Sequence, residues 1–405
     1  MPDEAFERRR AQLDAQPTEP VVGGVYRVWG DTTSPYTTKL WGVLHYRRIP
    51  YRQLRVTTEV WFEVLPKLVG MPILPVVLSP DGRVLQDSTP IVAWLEEAHR
   101  GPEHPSVVPD DPALAFVDSL LEDVADEYLP RLSMHTRWGT EENKGTLARR
   151  LARQLTWGVD ANLDAVTAFL ATRQSGFDHH LGLTAERRAG LDEQVRTVLD
   201  QLNAHLPRYG YLLGRRPSRA DFAFYGQIRA HWWADPGSAP VVESRGPEVI
   251  RWMQDIDELG DTRGMRDEQV RARMGDFADL DDLWPTLAPL LKFASQTWLP
   301  MGRDSGPASV QRQKRFQTTV WGEPLEVSTH HYRVWAFEQI QRAWLRLPDE
   351  LQSALEGRLQ EIGILPGLID GGIHANGLYD GLTPPVIQDG IADARIRHRR
   401  QKETS

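Results

Sequence analysis

The sequence contains no cysteine. This absence excludes disulfide bonds, metal sites built on thiolates and a cysteine nucleophile supplied by the chain. Any thiol chemistry of this protein must therefore use a thiol that arrives with a ligand.

Long apolar runs and a surplus of positive charge are also missing. No stretch approaches the roughly 18–20 apolar residues that cross a membrane, and the net charge is −9 at pH 7. We therefore expect neither a membrane protein nor a nucleic-acid binder. The charged N-terminal residues lack the apolar core of a secretory signal. The 405 residues, 40% hydrophobic and 25% charged, are typical of a globular protein with two or three domains.

Metal and phosphate motifs are scarce as well. The two histidine pairs, His179–His180 and His330–His331, are adjacent residues that point in different directions, and neither has a histidine or carboxylate at i+3 or i+4. The chain has no glycine-rich phosphate loop and no dinucleotide-binding turn. We predict that no metal is bound.

The organising stretch of the chain runs from Trp29 to Trp41, where a strand pattern changes to a helix pattern. Ser34 takes the N-cap position and Pro35 the first helical position. A hydroxyl at a helix N-terminus suits an anion, because free N–H groups and the helix dipole face it. A thiol bound there would have a lowered pKa. The same two residues also suit an ordinary helix start.

The remaining patterns predict a mixed architecture. From about 25 to 100 they indicate strand, helix, strand, a hairpin turned at Ser79–Gly82, and helix, which gives a small mixed sheet with helices on both sides. Four prolines mark a linker, and helical periodicity then continues to about residue 260. Within it, Ser218–Asp221 predicts a capping box with a structural role only. Further helices are expected around 280–297, 329–345 and 348–362.

Together these features resemble the cytosolic glutathione transferase family, and in particular its serine-type bacterial members. The resemblance is carried, in this order, by Ser34–Tyr36, Leu74–Pro75, Gln86–Ser88 and Ser218–Asp221. It implies a thioredoxin-like α/β domain and an all-helical domain, here followed by a mostly helical C-terminal extension. The expected divisions are a disordered leader (1–23), a thioredoxin-like thiol-binding domain (24–100), a linker (101–112), an all-helical domain (113–260) and the extension with a basic disordered tail (261–405).

The resemblance also implies roles for five residues. Ser34 matches the serine whose hydroxyl hydrogen-bonds the glutathione sulfur and stabilises the thiolate. Pro75 matches a cis-proline that turns the backbone N–H and C=O of Leu74 toward the peptide-like backbone of glutathione. Asp87 and Ser88 match a Glu-Ser pair that receives the γ-glutamyl end, Asp87 opposing the ammonium and Ser88 the carboxylate.

Several alternatives stay open. Many members carry a basic residue before the cis-proline, but residues 70–74 are uncharged, and Lys39 and Lys67 are possible substitutes or plain surface lysines. Lysine is scarce beside arginine, which hints at a GC-rich genome, so the natural thiol is glutathione or another small thiol. The resemblance implies a cytoplasmic homodimer that conjugates this thiol to a small electrophile. The alternatives are a thiol-dependent isomerase and a non-catalytic binding or scaffold protein.

Overall fold

The computed structural model describes residues 24–259, 266–369 and 386–387. The expected leader (1–23) and the expected basic tail (395–402) therefore lie outside the described residues. None of the described helices is long and apolar enough to span a membrane.

The N-terminal part is built on a small mixed sheet. Its elements are β1 (Tyr26–Trp29), α1 (Pro35–Tyr46), β2 (Tyr51–Leu54), α2 (Leu65–Val69), β3 (Val76–Leu78), β4 (Val84–Gln86) and α3 (Ser88–Ala98). The strand order is β2-β1-β3-β4, with β1 and β2 parallel and the other pairs antiparallel. A two-residue strand at Val386–Ile387 pairs antiparallel with β4.

Side chains alternate along these strands and so reach two different cores. Those on one face, Val28, Val77 and Leu85, pack with apolar residues of α1 and α3. Those on the other face, Trp29, Val76 and Leu78, form a separate cluster with Val60 and α2. The predicted mixed sheet with helices on both sides is confirmed.

A helical part follows. Its helices are α4 (Pro112–Asp123), α5 (Leu129–Trp138), α6 (Glu141–Leu155), α7 (Leu163–Ser175), α8 (Arg188–Tyr209), α9 (Arg219–Gln227), α10 (Ala239–Arg245) and α11 (Pro247–Asp257), with π-helical turns at Val124–Tyr128 and Ile228–Trp232. A further π-helical turn, Val60–Val64, precedes α2 in the N-terminal part. Asp221 accepts from the Ser218 N–H at 2.9 Å and from its hydroxyl at 3.1 Å, so the capping box at the start of α9 forms as predicted.

Helices α1 and α9 approach each other closely at glycines. A Cβ at Gly226 of α9 would lie 2.4 Å from the carbonyl oxygen of Pro35, the first residue of α1. A Cβ at Gly42 of α1 would lie 2.7 Å from the Phe222 ring. Both helices therefore need glycine at the crossing, and the helical part is pressed directly against the loop that carries Ser34.

The C-terminal extension adds further helices and a hairpin. Its elements are α12 (Asp267–Met274), α13 (Leu280–Gln296), α14 (Trp298–Val310), β5 (Arg315–Val320), β6 (Glu323–Ser328), α15 (His331–Leu345), α16 (Asp349–Glu361) and α17 (Ile364–Ile369). Helices α13, α15 and α16 agree with the three predicted segments. The β5–β6 hairpin and α14 were not predicted.

Candidate functional site

A cavity of about 390 Å³ lies where the N-terminal part, the helical part and the extension meet. All three contribute to its walls. The lining residues are Tyr36, Ile73, Leu74, Asp87, Ser88 and Thr89 from the first, Asp126, Glu127, Pro130, Arg131 and Leu181 from the second, and Met301, Val327, His330, Tyr332 and Arg333 from the third.

Ser34 is half-buried at the N-cap of α1. Its Oγ accepts a hydrogen bond from the Thr37 N–H at 3.3 Å, which leaves the proton of the hydroxyl free to be donated. Ser34 is not among the residues that line the cavity, but Tyr36, two positions further on, is. The Tyr36 hydroxyl donates to the Asp126 carbonyl at 2.9 Å, so its proton is already used.

The peptide before Ser34 is held by the helical part. The Thr33 carbonyl accepts from Arg137 Nη1 at 2.9 Å and from His231 Nε2 at 3.2 Å, and Arg137 Nε pairs with Asp235 at 2.8 Å. Burial lowers the pKa of His231 well below its ordinary value, so the ring is neutral and Nε2 carries its proton. These contacts fix the loop that presents Ser34.

The two residues that resemble the backbone-binding pair lie at one edge of the cavity. The Leu74–Pro75 peptide bond is cis. Leu74 is half-buried and lines the cavity, whereas Pro75 is buried and does not line it.

Asp87 and Ser88 lie side by side in the cavity wall, where α3 begins. Asp87 has a φ of 73° and a ψ of 128°, a conformation that costs a non-glycine residue about 1–3 kcal/mol and is characteristic of ligand-binding positions. Burial raises the pKa of Asp87 to about 6, against the opposing effects of a hydrogen bond from Tyr332, the charge of Lys39 and the Thr89 N–H. Ser88 is 2% exposed.

The extension reaches into this site, and the sequence did not predict which of its residues would do so. The Tyr332 hydroxyl, at the start of α15, donates to Asp87 Oδ1 at 2.9 Å. Arg333 follows it and is 6% exposed in the cavity wall. Tyr332 and Arg333 lie 245 positions or more from Asp87 in the chain. No local sequence motif identifies them as site residues.

Neither lysine considered as an anion-binding residue lies in the cavity wall. The Lys39 side chain is fully buried, and its ammonium pairs with Glu122 at 2.6 Å and with Asp126. Lys67 lies exposed on α2. The interpretation of Lys39 as a surface residue is wrong, and its charge is already matched by two carboxylates.

In the described ranges there is no group of three or more histidine, aspartate or glutamate residues that could hold a metal ion. The His179 and His180 rings lie against each other, 3.8 Å apart at their centroids, and His180 Nδ1 hydrogen-bonds the Ser328 hydroxyl at 2.9 Å.

Comparison with known families matches both principal parts of the chain. Residues 29–103 match the glutathione S-transferase N-terminal domain, and residues 184–259 match the glutathione S-transferase C-terminal domain. These two matches support a place in the glutathione transferase family. They also agree with a thioredoxin-like domain followed by a helical one.

Part of the chain is similar to several solved structures. A glutathione S-transferase from Rhodospirillum rubrum F11 is 19% identical with a TM-score of 0.38, over 66% of this chain and 91% of that one. Beta-etherase LigF from Sphingobium sp. strain SYK-6 is 17% identical with a TM-score of 0.43, over 58% of this chain and 99% of that one. No curated protein matches the chain.

Proposed function

We propose that this protein is a thiol transferase of the serine type, which binds glutathione or a similar small thiol as the thiolate and conjugates it to a small electrophile. The observation that carries the proposal is the cavity that joins Leu74, Asp87 and Ser88 beside the start of α1. It combines a backbone edge, a carboxylate and a helix N-terminus, which suit a zwitterionic, peptide-like thiol.

In this proposal Ser34 donates its hydroxyl proton to the sulfur. A hydrogen bond to the charged form lowers the thiol pKa, and the N-terminus of α1 acts in the same direction. The thiol proton passes to solvent. The sulfur lone pair then forms the S–C bond, while a halide leaves with the bonding electrons or an epoxide C–O bond opens and its oxygen takes a proton. A thiolate that is later expelled would give isomerisation instead.

Replacing Ser34 with alanine should raise the pKa of the bound thiol by about 1–2 units, because a donor to the thiolate is lost. Ultraviolet titration of thiolate absorbance in the glutathione complex measures this pKa. Thr140→Ala is a matched control, since Thr140 caps α6 through a 3.3 Å bond from the Asn143 N–H and does not line the cavity. An unchanged thiol pKa in Ser34→Ala would remove Ser34 from the mechanism.

Glutathione affinity should fall by about tenfold between pH 8 and pH 5 if Asp87 opposes the ligand ammonium, because each unit below a pKa reduces the ionised fraction up to tenfold. Burial raises the pKa of Asp87 to about 6, so the carboxylate is ionised at pH 8 and largely protonated at pH 5. Calorimetry across this range measures the effect. Asp87→Asn should bind weakly at both pH values, and Asp160→Asn, an exposed loop residue, should behave like the wild type.

One contact favours a non-catalytic binding or scaffold protein as the second candidate. The chain's own Tyr332 hydroxyl occupies Asp87 Oδ1, the carboxylate that the thiol ammonium would use. Calorimetry with millimolar glutathione separates the two functions, because the scaffold predicts no binding. Tyr332→Phe in the same experiment tests whether this hydroxyl is what excludes the ligand.

The proposal includes the homodimer that the resemblance implies. Sedimentation of the full chain at micromolar concentration checks it, since a dimer of a 46.0 kDa chain is readily distinguished from a monomer.

A further inference from the structure

The C-terminal extension completes the cavity instead of merely covering it. The cavity is lined by Leu74, Asp87 and Ser88 of the N-terminal part and by Met301, Val327 and Arg333 of the extension. A molecule that fills the cavity must therefore touch residues that follow the two family-matched domains in the chain.

Arg333, in this wall, has a hydrogen-bond donor that no described residue accepts. It is 6% exposed, and its Nη1 donates to the Ser328 carbonyl at 3.2 Å. Its Nε is buried and has no hydrogen-bond partner within the described part of the chain. A guanidinium has five N–H donors in a planar fork, and a buried donor left unpaired is costly.

The neighbouring Arg131 differs, because each of its three side-chain nitrogens donates a hydrogen bond. Its Nε donates to the Leu181 carbonyl at 2.9 Å, its Nη2 to the Gly182 carbonyl at 3.4 Å, and its Nη1 to the Tyr128 hydroxyl at 3.4 Å. Arg131 therefore supports the wall, and Arg333 is the better candidate for contact with a ligand.

The charged groups around Arg333 allow an anion to bind there. Burial lowers the pKa of Arg333, and the charge of Glu127 opposes that effect. Burial also raises the pKa of Glu127 well above its ordinary value, which favours the neutral acid. The cavity wall carries two guanidinium groups, those of Arg131 and Arg333. Pro130, Leu181, Met301 and Val327 provide apolar surface in the same wall.

We propose that Arg333 binds an anionic group, such as a carboxylate, on the electrophilic co-substrate, whose apolar body packs on the helical and extension walls. Arginine forms paired hydrogen bonds with a carboxylate. The inference rests on the proposed thiol transfer. Arg333 interacts electrostatically with Glu127 and Arg131 of the helical part, so we assign the co-substrate to Arg333. The thiol is assigned to the wall formed by Leu74, Asp87 and Ser88.

The test uses the full chain, glutathione and two matched electrophiles, 4-chloro-3,5-dinitrobenzoate and its methyl ester. Arg333→Gln should raise the KM for the benzoate by about tenfold, as expected for the loss of a charge-assisted pair, and change the KM for the ester less than twofold. Arg333→Lys should restore part of the benzoate affinity. Arg346→Gln, an exposed arginine after the same helix, should leave both values unchanged.

Two results would overturn the inference alone. One is an equal rise in the KM for the benzoate and for the ester in an Arg333→Gln variant that keeps its circular dichroism spectrum. The other is a rise in the KM for glutathione, which would mean that Arg333 binds the carboxylate of the thiol. If the wild type neither binds glutathione by calorimetry nor transfers it to either electrophile, the proposed function fails, and this inference fails with it.

Discussion

Replacing Lys39 with methionine should lower the free energy of unfolding by about 3–5 kcal/mol, the usual cost of removing one side of a buried ion pair. The fully buried ammonium donates to Glu122 at 2.6 Å, to Asp126 and to the Thr89 hydroxyl at 3.0 Å. Methionine fills a similar volume, but it leaves both carboxylates in the interior without this cation. Urea denaturation followed by circular dichroism measures the loss.

The pH dependence of this loss distinguishes charge from packing. Burial acts to raise the pKa of Glu122, but the charges of Lys39 and Arg219 outweigh it and hold that pKa below its ordinary value. A carboxyl group with a lowered folded-state pKa contributes stability above its unfolded pKa and loses it as the pH falls through the folded pKa. The cost of Lys39→Met should therefore be larger at pH 7.5 than at pH 4.

Leu44→Ala is the matched control, because Leu44 lies in the core on the same helix and is 1% exposed. It should cost about 2–5 kcal/mol through the cavity it creates, equally at both pH values. A pH-independent loss in Lys39→Met would mean that Lys39 contributes only through its packing.

Lys39 also shows why part of the site could not be predicted from the sequence. Its partners Glu122 and Asp126 lie 83 and 87 positions further along the chain, on α4 and on the π-helical turn that follows it. A lone lysine in a helix pattern is usually at the surface. Only the packing of α1 against the helical part decides that this one is internal.

Local signals predicted the N-terminal architecture well. The Ser79–Gly82 turn joins β3 and β4, with Gly82 at a φ of 87° and Leu78 paired with Val84. Proline and glycine specify such a turn through their own backbone preferences. The capping box of α9 was predictable for the same reason, because its donors and acceptor lie three residues apart.

The β5–β6 hairpin lacked such a signal. Its two-residue turn is formed by Trp321 and Gly322, with φ values of 57° and 77°. Tight hairpins with two positive φ values usually begin with asparagine or aspartate, and a tryptophan in that position conceals the turn. The α15 helix was predicted, but the roles of Tyr332 and Arg333 were not, because they reach the site across 245 positions or more of the chain. The thiol-side residues could be proposed from motifs, whereas the residues of the extension required the structure.

The second large effect is expected for Asp221→Ala, which should lower the free energy of unfolding by about 3–5 kcal/mol because several buried donors lose their acceptor together. Asp221 Oδ2 accepts from the Ser218 N–H at 2.9 Å. Its Oδ1 accepts from the Leu212 N–H and from Trp252 Nε1, each at 2.9 Å. These four residues are fully buried, so water cannot easily replace the carboxylate.

Two milder variants show whether the carboxylate acts as this common acceptor. Ser218→Ala removes one hydroxyl from the capping box and should cost about 1 kcal/mol. Asp221→Asn keeps one acceptor oxygen and should lie between Ser218→Ala and Asp221→Ala. Equal losses for Ser218→Ala and Asp221→Ala would reduce Asp221 to an ordinary helix cap. Losses that increase from Ser218→Ala through Asp221→Asn to Asp221→Ala would instead show that Asp221 joins α9, α11 and the 210–214 segment. Since α9 presses on Pro35 through Gly226, this junction also supports the helix start beside Ser34.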